Sequence, residues 1–126
     1  MRWPWMRVMA LLMGGLLAAC GGGGGGGASS GLVIEMGDLY FKPNVLTAKP
    51  GQTLEITLEN KGALEHNFVL YDQDGKTVLF ERDNIQPGRA VKVTVKVPEK
   101  PGNYEIVCTV PGHKEGGMVA TLRVQP

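Results

Sequence analysis

Residues able to bind or react are scarce in this chain of 126 residues, which has only two histidines and two cysteines. Aromatic residues make up 6% of it, too few for a ladder on which bases could stack. Charge of either sign is not in excess: 13 Lys and Arg stand against 12 Asp and Glu, a formal +1. With no basic stripe, nucleic acid is excluded as a partner. From Gly31 onward no helical period is visible, which argues against a helical domain. The longest apolar run, "VMALLMGGLLAA" from Val8 to Ala19, has 12 residues and is too short to cross a bilayer. The length accommodates one domain and not two.

That short run has a different use. Arg2 and Arg7 precede it, as in the charged and apolar parts of a secretory signal. It ends in "LAAC", Leu17 to Cys20, which resembles a bacterial lipobox. An ordinary signal peptide cut near Ala19, with Cys20 a bystander, is the alternative. Taken as a lipobox, residues 1–19 are a lipoprotein signal and Cys20 is the lipidated new N-terminus. Two or more acyl chains hold a protein at a membrane stably, where one does not. Removing residues 1–19 takes away Arg2 and Arg7 and leaves a net charge of about −1. Residues 20–30, mostly "GGGGGGGASS", have no preferred conformation. As a coil, Gly21 to Ser30 spans about 16–19 Å, against roughly 35 Å fully extended. The expected arrangement is a folded domain, residues 31–126, on a short leash at the outer face of a bacterial membrane. Cys108 is then alone in an oxidising compartment, where an unpaired thiol is a liability unless it is buried or in use.

The domain reads as all-β. "TLEITLE" (53–59) and "AVKVTVKV" (90–97) alternate strictly between apolar and polar residues. "LVIEM", "HNFVLY", "KTVLF", "NYEIVC" and "MVATLRV" complete the set. Turn chemistry separates them: "KPG", "NKG", "DQDG", "QPG", "KPG" and "PGH". Seven or eight short strands in one small domain make a two-sheet β-sandwich.

Strand parity brings the scarce residues together. Cys108 shares a face with Tyr104 and Ile106, Met118 with Ala120, Leu122 and Val124, and His66 with Phe68 and Leu70. Each stands at a strand end on its apolar side, and His113 lies in the loop between two of these strands. Individually each has an ordinary reading: a buried small thiol, a core methionine, a turn histidine, a strand-end histidine. Jointly they supply two imidazoles, one thiolate and one thioether, the complement of a mononuclear copper electron-transfer site, with no histidine left over.

"CTVPGHKEGGM" (108–118) together with "HNFVL" (66–70) resembles the cupredoxins, namely plastocyanin, azurin and above all auracyanin. The "C-T-x-P-G-H" spacing is similar to azurin and auracyanin. The four residues between His113 and Met118 are more like plastocyanin and auracyanin, and "YEIVC" matches the usual approach to the cysteine. The resemblance covers essentially all of residues 31–126 and implies a Greek-key sandwich holding one copper ion. It implies His66, Cys108 and His113 as equatorial ligands and Met118 as the axial one. It implies that the Asn67 side chain ties the His66 strand to the backbone beside Cys108. It also implies an apolar docking patch of Gly62, Ala63, Leu64, Val110, Pro111 and Gly112 around the exposed edge of His113. Such a patch suits brief encounters with redox partners.

The function expected is therefore a membrane-tethered, monomeric electron carrier rather than an enzyme. Laccase-type or nitrite-reductase-type chemistry needs further histidines, and a binuclear copper centre needs a second cysteine in the ligand loop. Delivery of copper to an oxidase is the competing function. Such carriers expose several methionines and histidines, whereas Met36 and Met118 are the methionines left after residue 19. Zinc in the same set and a metal-free adhesion-like sandwich complete the alternatives.

Overall fold

A computed structural model describes residues 29–126, so the expected signal, Cys20 and nearly all of the tether lie outside the described residues. Nine strands form: β1 (Ser29–Gly37), β2 (Tyr40–Lys42), β3 (Val45–Ala48), β4 (Thr53–Asn60), β5 (His66–Tyr71), β6 (Val78–Ile85), β7 (Ala90–Lys96), β8 (Gly102–Val107) and β9 (Val119–Val124). They build two mixed sheets, ordered β2-β1-β4-β7 and β3-β9-β8-β5-β6, with no helix among the described residues. The first strand begins at Ser29, just inside the segment assigned to the tether.

Alternation decides which face each strand buries. On β4, Leu54, Ile56 and Leu58 point inward, and their partners across the antiparallel ladder are Val95, Val93 and Val91 of β7. On the other sheet Tyr104 and Ile106 of β8 pair with Leu122 and Ala120 of β9. Side chains from both sheets form one core, in which Phe68 of β5 meets Phe41 of β2 edge-on, ring centres 6.0 Å apart. Burying a side chain of this size contributes about 1.5–3 kcal/mol. β5 departs from the alternation: Asn67 and Val69 are buried as well as His66, Phe68 and Leu70.

Nine strands stand against the seven or eight expected, and two of them fall outside the stretches read as strands. β2 and β3 have three and four residues, and Pro43 separates them with a cis peptide bond after Lys42. Such short pieces carry too few repeats for a period to show, and they are recognised by the partners they find: β2 pairs with β1, and β3 runs parallel to β9.

One polar side chain fastens the end of β4 to the loop that follows. Asn60, 1% exposed, donates through Nδ2 to the carbonyls of Leu64 and Ile85, each at 2.8 Å. Its Oδ1 accepts the N–H of Gly62 at 2.9 Å. Asn60→Ala removes all three bonds, leaves the buried Ile85 carbonyl without this partner, and should cost about 1–3 kcal/mol. Urea unfolding of the two proteins measures it, and an unchanged midpoint would show the clasp to be dispensable.

Candidate metal centre

The sheet register alone places the site. In the β5–β8 ladder Val69 pairs with Val107, so continuing it sets Asn67 opposite Thr109 and Phe68 opposite Cys108. In the β8–β9 ladder Val107 pairs with Val119, which sets Cys108 opposite Met118, and the Cys108 N–H donates to the Met118 carbonyl at 3.2 Å. His66 opens β5 at the same end.

The loop from Thr109 to Gly117 folds back on itself. His113 N–H donates to Val110 C=O, Gly116 N–H to Gly112 C=O, and Met118 N–H to His113 C=O. The turn needs a left-handed residue before the histidine, which Gly112 supplies at φ 84°. His113 is thereby carried inward, to 7% exposure, while Cys108, His66 and Met118 are fully buried.

Three donor atoms converge. His66 Nδ1 lies 3.2 Å from His113 Nδ1 and 3.9 Å from Cys108 Sγ, and Sγ lies 3.5 Å from His113 Nδ1. The point equidistant from all three is about 2.1 Å from each, the length of a metal–imidazole bond. At most one proton fits between two ring nitrogens, so three lone-pair donors facing one point are poorly satisfied by protein alone and well satisfied by a cation. Thiolate with two imidazoles, and a thioether residue opposite the cysteine, is a donor set that fits one copper ion.

The surroundings hold these atoms in place. Asn67 Oδ1 accepts the Thr109 N–H at 2.7 Å, and Asn67 Nδ2 donates to Thr109 Oγ1 at 2.6 Å. The Asn67 N–H points at Cys108 Sγ, 3.4 Å away. Beside His66, the Asp38 carboxylate accepts the N–H groups of Ala63 and Leu64. Those contacts, Ala63 foremost, hold its carboxyl below the usual range. Of the residues expected in a docking patch, Ala63, Leu64, Pro111 and Gly112 are exposed and Gly62 and Val110 half-buried. Leu39 packs against Gly116 of the ligand loop. Neither Asp38 nor Leu39 was evident from sequence: both lie in the β1–β2 turn, and only the fold brings that turn against the loop before β5.

Burial, followed by the neighbouring His113, pushes the His66 pKa below its ordinary value and favours the neutral, ligand-ready ring. The unfolded chain then takes up the proton first, so stability rises with pH. The metal-free protein should be fully stabilised above about pH 6.5, the ordinary histidine value, and weaken as pH falls below it. Urea midpoints at pH 7.5 and 5.5 test this, and equal midpoints would contradict it.

Known proteins resemble this chain in sequence and in fold. The family model of the cupredoxin-like domain matches residues 10–120. The copper-resistant cuproprotein CopI of Pseudomonas aeruginosa is 26% identical, across 78% of this chain and 77% of that protein. Chloroplastic plastocyanin of Oryza sativa is 34% identical, across 70% of this chain and 56% of its own length. The crystal structure of dithionite-reduced auracyanin from Roseiflexus castenholzii superposes with a TM-score of 0.69 at 26% identity, covering 79% of this chain and all of that one. With a family match of that extent and a donor triangle at the end of a two-sheet sandwich, the chain belongs to the cupredoxin family.

Proposed function

We propose that this protein is a membrane-tethered, mononuclear type 1 copper protein that passes single electrons between redox partners. His66, Cys108 and His113 are the equatorial ligands and Met118 the axial one. The observation that carries the reading is the triangle of His66 Nδ1, Cys108 Sγ and His113 Nδ1, buried and already of metal-binding size. Bound copper supplies a couple that gains and loses one electron.

What the chain supplies is a fixed, dry frame. Strands β5, β8 and β9 hold three of the four ligands or their immediate neighbours, so little of the site can relax when the charge on the metal changes. The low exposure of all four residues keeps water from adding as a further ligand. A docking surface of the exposed Ala63, Leu64, Pro111, Gly112 and Leu39, with Glu65, Lys114 and Glu115 at its rim, suits short-lived complexes. Both histidines of the chain are used in this one site, which leaves none for a catalytic copper. The monomer is held through a lipid on Cys20, at the outer face of the bacterial membrane.

A second reading, copper handling in copper resistance, is favoured by the CopI relative. Release of copper to an acceptor calls for accessible ligands, and the burial here speaks for a resident ion instead. A Cu(I) chelator separates the two: fast removal supports handling, and retention supports electron transfer.

Two outcomes test the main reading. The protein loaded with Cu(II) should absorb intensely in the red and bleach on reduction with dithionite, and Cys108→Ser should abolish the band. A serine variant that stays equally blue would remove Cys108 from the ligand set. Grown with a tagged fatty acid in a bacterium that processes lipoproteins, the wild type should take up the label and Cys20→Ser should not. Equal labelling of the serine variant would show that the lipid is not on Cys20.

A further inference from the structure

We infer that Asp38 is a positioning residue for His66, whose carboxylate takes the Nε2–H of the ring while clamping the loop before β5, and so lowers the reduction potential of the site. This rests on the assignment of His66 as a ligand through Nδ1.

Among the described residues, His66 Nε2 is the one buried side-chain polar atom without an aligned hydrogen-bond partner. Its ring is completely buried, so water does not reach it. The carboxylate oxygen Asp38 Oδ1 lies 3.3 Å away, close enough in distance and short of a hydrogen bond only in angle. When Nδ1 faces the donor triangle, the proton of the neutral ring sits on Nε2 and needs an acceptor.

The placement of Asp38 is built, not incidental. It sits in the turn between β1 and β2, where Leu39 adopts φ 70°, a left-handed conformation unfavourable for a leucine. The same carboxylate accepts Ala63 N–H at 3.0 and 3.1 Å and Leu64 N–H at 3.3 Å. Gly62 packs directly against it: a Cβ there would overlap Asp38 Oδ1. The first sheet thus reaches across to grip the residues leading into His66.

A carboxylate accepting from the far nitrogen of a ligating histidine fixes the ring and makes it a stronger donor. Its negative charge favours the more highly charged metal state, Cu(II), over Cu(I). The Asp38 side chain is 41% exposed, so solvent weakens this effect without removing it.

The test uses Asp38→Asn and Asp38→Ala in the otherwise unaltered protein. Asparagine keeps the shape and can still accept from Ala63 and Leu64, but it carries no charge. It should leave the protein blue and raise the midpoint potential, by a shift of roughly three- to tenfold in the ratio of Cu(II) to Cu(I) binding, tenfold being about 59 mV for one electron. In the wild-type Cu(I) form, a slowly exchanging His66 Nε2–H should be visible by NMR and should be lost in Asp38→Ala. In the metal-free protein Asp38→Ala should also speed amide exchange at Ala63 and Leu64. A blue asparagine variant with an unmoved potential overturns the role of Asp38 and leaves the copper site standing. The absence of the Nε2–H resonance from the wild type does the same. A wild type that binds copper without colour overturns the ligand assignment and this inference with it.

Discussion

Antiparallel pairing of β8 with β5 on one side and β9 on the other is what the site depends on. The two ladders put Phe68 and Met118 on either side of Cys108 and bring Asn67 level with Thr109. A register slip of one residue in either ladder would turn the donors to the opposite face. The inward rows Tyr104–Ile106 and Ala120–Leu122–Val124 resist such a slip, because every one of them would leave the core. Core packing and donor placement are thus one constraint. The hydrophobic pattern that folds the sandwich also sets the geometry of its end.

Beyond the ladders, the site is held by polar contacts that each join two chain segments. Asn67 links β5 to the residue after Cys108. Asn60 ties the end of β4 to the β4–β5 loop and to β6. Asp38 reaches the same loop from the first hairpin. None of these contacts is large on its own, since a typical net hydrogen bond contributes about 0.5–1.5 kcal/mol. Together they limit the motions that would separate the donors, which are the motions a change in metal charge would otherwise drive.

Much of this was legible in the sequence, for identifiable reasons. The alternation in "TLEITLE" and "AVKVTVKV" reports a half-buried sheet directly, and both stretches are strands with the expected inward faces. The scarcity of histidine and cysteine made "HNFVL" and "CTVPGHKEGGM" conspicuous, and strand parity was enough to send their side chains to one place. What escaped was set by tertiary contact. β2 and β3 are too short to show a period, and Pro43 interrupts them. The burial of Asn67 breaks the alternation of β5, and its side chain pairs with Thr109 on the neighbouring strand's extension, a contact no local pattern shows. Asp38 and Leu39 sit some distance along the chain from His66 and Gly116, and nothing local marks the turn that brings them together. The donors are in motifs, whereas the groups that orient them are scattered.

If the protein, and not the metal, sets the positions of the donors, crystal structures of the metal-free, Cu(I) and Cu(II) forms will show it. His66 Nδ1, Cys108 Sγ and His113 Nδ1 should keep their triangle in all three, with shifts of no more than a few tenths of an ångström. A histidine swung away in the metal-free form, or bond lengths that change markedly between the two copper states, would contradict it.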